Sequence, residues 1–385
     1  GAAAASVGAG ARAPSRGPGV MRRRAFLAGS AAALAAPPLH LAAETDPEPL
    51  IETARRLAER PYAGSSPPLP PPFADLTYDA YRAIRPIPGQ AAMLPLGAAY
   101  ALDLLPPGLY FPDPVPVEVA GADGVREIPF SPDLFTFDPR YFGDIPAAAP
   151  GAGFSGLRLR HPLNAPDRMD EFLVLQGASY FRAIGRAMVY GLSARAVALG
   201  TGGPGPEEFP RFTRLRLHEP GPDGARLEGV IDSPSLTGHM EMGAAPGEAT
   251  RTALTVTLFP RETIGSIGIA PLTSMYLKGP LRASVADDFR PRVHDSDVLF
   301  IENGAEERLW RPISNPATLQ TSAFADDGPR AFGLWQTARR FADFEDAEAR
   351  YHARPSAVVR PRDDWGRGAV MLVEIPTGDE FMDNI

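Results

Sequence analysis

The chain has 385 residues, a formal net charge of −8 at pH 7, no Cys, and many Gly (38) and Pro (44) residues scattered along its length. The acidic balance removes any electrostatic ground for a nucleic-acid partner, and the absence of Cys excludes disulfides, thiolate chemistry and sulfur-held zinc. A chain this long buries a large core without disulfides, so export stays open; its basic residues are nearly all Arg, with Lys278 the one Lys, which reads as coding bias.

Residues 1 to 20 are rich in Ala, Gly and Pro and lack a pattern, as a disordered extension does. From Met21 the sequence runs MRRRAFLAGSAAALAAPP, with Arg23 and Arg24 ahead of Phe26 and Leu27 and small residues near Ala43. That pattern predicts a signal peptide over 21–43, and the paired arginines suggest twin-arginine export to the periplasm. The apolar run is too short to cross a bilayer and no other stretch is longer, so no membrane span is expected. A single domain is expected over 44–385.

Pro49 to Arg60 sets Leu50, Ile51, Ala54, Leu57 and Ala58 at helical spacing, with acids early and arginines late. Beyond Phe73 short apolar runs take over: Val115–Val119, Leu157–Leu163, Phe212–His218, Arg226–Ile231, Ala253–Phe259, Val298–Glu302, Leu309–Ile313, Phe332–Gln336 and Ala369–Ile375. Several alternate apolar with polar, as half-buried antiparallel strands do. Turn signals such as Pro222-Asp223-Gly224 and Asn303-Gly304 separate them. A second short helix is expected over Phe344–Tyr351. The pattern predicts an all-β fold, with many strands and few helices.

Three stretches carry chemistry. FRPRVHDSDVL places His294, Asp295 and Asp297 between apolar flanks. Continued as a strand, it puts both acids on one face and His294 on the other, so the carboxylates converge where burial and mutual repulsion favour a proton on one. The plainer reading is a turn capped by Asp295 with Asp297 in solvent. A metal site is disfavoured because no second His stands at ligand spacing. LQGASYFRA followed by YGLSARAVA interleaves Tyr180, Arg182 and Tyr190 with glycines, as a sugar site needs, or as a buried hairpin shows equally well. VEIPTGDEFMDNI sets Asp379, Glu380 and Asp383 just beyond a strand, at a mouth where either catalytic or merely solvated acids belong.

With those residues in hand, the chain resembles the osmoregulated periplasmic glucan biosynthesis proteins of the G and D types. The resemblance rests on IETARRLAERPY, LTYDAYRAIRP, LQGASYFRA with YGLSARAVA, GEATRTALTVTLFPRETIGSIGIAPLTSMYLKGP, DDFRPRVHDSD, WRPISNP, FEDAEARYHARPS and RGAVMLVEIPTGDE, in family order from about Ile51 to Ile385. It implies a large antiparallel β-sandwich of the galactose-mutarotase-like type, followed in the family by an immunoglobulin-like domain; this chain stops where the linker to that domain is expected. It also implies export to the periplasm and action on β-1,2-linked glucan, with no cofactor and no metal. Members resemble inverting glycoside hydrolases or transglycosylases, and the rival reading is a non-catalytic glucan-binding scaffold serving a membrane glucan synthase.

Carried over by position, the general acid falls on Asp383 and the base-side carboxylate on Asp295. Tyr180, Arg182, His294, Asp297, Trp310, Tyr351, Arg354 and Glu380 are expected to line the glucan cleft. Two departures from the family pattern stand out: Met382 replaces an Asn before the acid, and Gln336-Thr337-Ala338-Arg339 replaces Gln-Arg-Asp-Arg. The first removes polar support from Asp383 and the second alters a sugar subsite.

Overall fold

Period-two burial builds the two largest sheets. The strand Gly156–Ala165 buries Leu157, Leu159 and Leu163, and its neighbour Arg168–Gln176 buries Leu173 and Leu175. Side chains on alternate faces let one side of each strand enter the core. In this computed structural model residues 48–64, 66–280 and 288–385 are described; the expected extension at 1–20 and leader at 21–43 lie outside them.

A seven-stranded antiparallel sheet runs in the order Leu272–Thr273, Ser193–Arg195, Tyr180–Ala183, Arg168–Gln176, Gly156–Ala165, Tyr100–Leu105, Leu94–Leu96. A six-stranded sheet runs Arg251–Pro260, Leu236–Ala245, Gly224–Asp232, Arg211–Gly221, Val117–Gly121, Gly124–Glu127. Its one parallel pairing joins Arg211–Gly221 to Val117–Gly121. Leu102, Leu159 and Leu175 of the first sheet share one apolar cluster with Leu215, Leu227 and Met240 of the second. Two inner faces meeting over one core make a β-sandwich. The predicted turn at Pro222-Asp223 closes a two-residue hairpin, with Gly224 at φ +126°, where an added Cβ would stand 2.4 Å from the Ala244 carbonyl oxygen.

The expected first helix forms as Leu50–Ala58 and lays Leu50 and Ala54 on Val230 of the six-stranded sheet; the Thr237 hydroxyl donates to the Ala54 carbonyl at 2.7 Å. The expected second helix does not form. Glu345 (φ 55°) and Arg350 (φ 51°) take left-handed backbone, and two short 3₁₀ turns, Phe341–Asp343 and Tyr351–Ala353, stand in its place.

A four-stranded sheet, Arg308–Pro312, Val298–Glu302, Ala331–Trp335, Ala357–Val359, and the ribbon Gln320–Asp327 with Arg367–Glu374 enclose a second core. Leu299, Ile301 and Leu334 pack there against Val370 and Leu372. Among the described residues no helix is long and apolar enough to cross a membrane.

Candidate active site

The centre of the site is three residues long. Ser274, Met275 and Tyr276 form a rib with hydrogen-bonded chain on both edges. On one edge Asp295 N–H donates to the Met275 carbonyl at 2.8 Å, and His294 is the register partner of Tyr276. On the other, Ser274 exchanges backbone bonds with Ile385 at 2.9 and 3.0 Å, and Asn384 N–H donates to the Ser274 carbonyl at 3.0 Å. Asp295 and Asp383, 88 positions apart in sequence, therefore hang from opposite edges of the same rib.

Asn384 is what holds the second edge. Its Oδ1 accepts from Tyr276 N–H at 2.8 Å, and its Nδ2 donates to the carbonyls of Tyr276 (3.1 Å) and Ile375 (2.9 Å). Ile375 N–H donates back to the Asn384 carbonyl at 2.8 Å, so every polar group of this 1 %-exposed residue is engaged. Asp383 is firmly positioned although the preceding Phe381 and Met382 are exposed.

Asp295 is 3 % exposed and its Oδ1 accepts from Arg354 Nη1. Burial pushes its carboxyl above the usual range, the Arg354 guanidinium pulls it back, and the charge of Asp383 pushes it up again. Asp383 is also raised by burial, with Arg182, Arg354 and Arg195 opposing. Arg182 Nη2 stands 3.7 Å from its Oδ2. Arg354 thus acts on both acids, and its guanidinium lies over the Tyr351 ring, 4.2 Å from the centroid. The Tyr351 hydroxyl donates to Glu380 at 3.2 Å, and Glu380 meets Arg290 at 2.8 Å, which also binds Asp346 at 2.6 Å. Burial raises the Tyr351 hydroxyl well above its ordinary range, so it stays a donor.

A hollow of about 720 Å³ opens beside Asp383. Tyr180 and Phe209 flank Arg195 along its polar wall, their centroids 5.1 and 5.5 Å from the guanidinium, which donates to Glu207 at 2.5 Å. Leu299 and Leu334 belong to its apolar wall.

The structure thus brings together Asp383, Arg182, Asp295, Arg354, Tyr351, Glu380 and Tyr180. Three other expectations change. The strand ends at His294 and resumes at Val298, so alternation does not run through 295–297. Asp297 turns instead to Thr337, which binds it through backbone and hydroxyl, and to Arg292 at 3.6 Å. His294 is fully buried, stacked on Tyr276 (5.3 Å) and edge-on to Phe344 (5.1 Å); burial pulls its pKa down to about 4, so it packs as a neutral ring. Trp310 sits on the four-stranded sheet in a separate concavity, away from Asp383.

Sequence reasoning missed Asn384, Arg195, Arg290 and Gln336. Gln336 Nε2 donates to the carbonyls of His294 and Tyr351, both at 3.1 Å, tying the Asp295 segment to the Arg354 segment. Its place in the departing Gln-Thr-Ala-Arg stretch was the available signal. Among the described residues no group of three or more His, Asp or Glu is arranged to hold a metal ion.

Fold and site together define an all-β sandwich protein with an arginine-clamped pair of carboxylates. The chain belongs to the family whose model is described as "Periplasmic glucan biosynthesis protein, MdoG", which matches residues 46–385. It is 42 % identical over 342 residues to a glucans biosynthesis protein G of Vibrio cholerae, covering 88 % of this chain and 62 % of that protein. It is 42 % identical over 345 residues to the protein of that name from Shewanella frigidimarina, covering 89 % and 61 %. Against the Rhodopseudomonas palustris protein of the same name the figures are 42 % over 344 residues, 88 % and 68 %. The chain spans about three fifths of the length of the first two relatives.

Proposed function

We propose that this chain binds a β-1,2-linked glucan in the periplasm and hydrolyses it with inversion, Asp383 serving as general acid and Asp295 as base-side carboxylate. The observation that carries this reading is the shared rib. The rib hangs the two acids from its opposite edges, near enough for the charge of Asp383 to raise Asp295, and an inverting pair keeps its carboxyl groups roughly 6.5–9.5 Å apart to seat a water. Burial raises both acids, which keeps Asp383 protonated further toward neutral pH, while Arg354 favours the ionised form of Asp295. In the reaction Asp383 gives its proton to the glycosidic oxygen as the bond to the anomeric carbon breaks. Asp295 receives a proton from the attacking water, through a bridging water or sugar hydroxyl because Arg354 covers the buried carboxylate.

The same cover supports a second reading. A carboxylate 3 % exposed and capped by guanidinium suits a scaffold that grips glucan without cutting it, beside a membrane synthase. Reducing-end release from linear β-1,2-glucan, with product anomers followed by NMR, separates the two. Inverted product that vanishes in Asp383→Asn supports hydrolysis. Binding without product in the folded wild type supports the scaffold, and products longer than the substrate would indicate transfer to a sugar hydroxyl.

A further inference from the structure

The four-stranded sheet has two unlike faces. Leu299, Ile301 and Leu334 point into the second core, and Leu299 and Leu334 reach the hollow beside Asp383. Strand alternation sends Phe300 and Trp335 the opposite way, and Trp310 is the register partner of Phe300. On that outer face the three rings form one platform. Phe300 and Trp310 lie 4.8 Å apart, and Trp310 meets Trp335 edge to face at 5.0 Å and 83°.

The platform floors a concavity of about 220 Å³ rimmed by Arg308, Arg360 and Glu302. Trp310 leaves 49 % of its surface exposed. The Trp335 indole nitrogen is buried and meets no acceptor among the described residues. Glu302 lies 3.4 Å from Arg308, whereas Arg360 is exposed and makes no ion pair or hydrogen bond among the described residues. A flat exposed aromatic ring beside a free guanidinium matches a pyranose, which offers a C–H face bordered by hydroxyl acceptors. The concavity is smaller than the roughly 300–1,000 Å³ of pockets that enclose a whole ligand, so it suits a segment of a polymer.

We propose that this outer face is a second carbohydrate site, separated by the sheet from the carboxylate pair. It stacks one sugar of a neutral glucan chain on Trp310, while Arg360 donates to its hydroxyls. Its ligand rests on the glucan reading above; its existence does not rest on hydrolysis. Such a site raises affinity for long chains without changing turnover of short ones.

Two of the chain's three Trp residues lie in the platform and the third, Trp365, lines the hollow beside Asp383, so the part of the fluorescence change that Trp310→Ala removes reports platform occupancy. The test is calorimetric and fluorescence titration of the 385-residue chain with linear β-1,2-glucan, long and short. Trp310→Ala is expected to weaken long-chain binding about tenfold and to remove most of the fluorescence change. Arg360→Ala touches no core and is expected to weaken it about threefold, so the proposal stays testable if the Trp variant misfolds. Wild-type affinity for long glucan in a folded Trp310→Ala or in Arg360→Ala overturns the site. If Asp383→Asn abolishes cleavage while platform variants bind normally, hydrolysis stands and the platform falls. If platform variants lose binding and the wild type never cleaves, the reverse holds.

Discussion

Two buried carboxylates in this molecule end up shifted in opposite directions. Glu228 lies in the six-stranded sheet, 8 % exposed, and its two oxygens meet His218 Nε2 at 2.5 Å and His239 Nε2 at 3.1 Å. Those donors outweigh burial and drive its carboxyl far below the ordinary Glu range. Asp295 is buried as deeply, but the Arg354 guanidinium, with a smaller pull from Arg182, does not offset both burial and a neighbouring acid, and its carboxyl rises. Burial alone does not set the charge of a carboxyl; the balance of donors against burial does. A carboxylate with a donor on each oxygen is a structural fixture, whereas one left short of donors keeps a proton in play.

Substitution turns the contrast into measurements. Asp383→Asn and Asp295→Asn are expected to lower the rate of glucan cleavage by about 10²–10⁴-fold. Asp383→Asn is also expected to leave Tm unchanged or raise it by about a degree, since a raised acid costs stability at neutral pH. Asn384→Ala leaves the acid in place but frees its backbone. A kcat loss on the order of 10²-fold with little change in KM is expected, and a loss confined to Tm would reduce Asn384 to a structural tie. Glu228→Gln should behave oppositely, losing about 1–3 kcal/mol in denaturant unfolding with specific activity retained.

The pH dependence sharpens the contrast further. Glu228 has a depressed folded pKa, so its contribution to stability is present above the ordinary Glu value of about 4.3 and is lost as pH falls toward its folded value. Asp295 and Asp383 have raised folded pKa values. Their protonated forms favour folding at low pH, and that contribution is lost as pH rises from the ordinary Asp value of about 3.9 through the folded one. Acid unfolding curves should therefore steepen through Glu228 and flatten in Glu228→Gln. Removing the Arg354 charge with Arg354→Met should move the acidic limb of the activity profile to higher pH, because that guanidinium opposes the rise of both acids.

Much of the fold was legible because burial here follows alternation. Each of the nine expected runs overlaps a strand, and Val298–Glu302 matches residue for residue. Tyr100–Leu105 was not legible: all six residues are buried, so no alternation marks it as a strand. The helix expected at Phe344–Tyr351 had the composition but not the backbone, because Glu345 and Arg350 bend it into turns around Arg290 and Tyr351. At the site, spacing suggested that Asp295 and Asp297 converge, yet the resemblance paired Asp295 with Asp383. The structure hangs that second pair on one rib and sends Asp297 to Thr337. The roles of Asn384 and Gln336 consist of bonds to backbone groups distant in sequence, to which composition and period are blind; only the departing stretch that begins at Gln336 hinted at the second.

The rib of Ser274 to Tyr276 also has a mechanical meaning. Because both acid-bearing segments are bonded to the same three residues, a tilt or rise of that rib carries Asp295 and Asp383 together. Breathing of the surrounding sheets then shifts the pair as a unit and changes its gap least. The width of the crevice is thus insulated from the motions of the sheets around it.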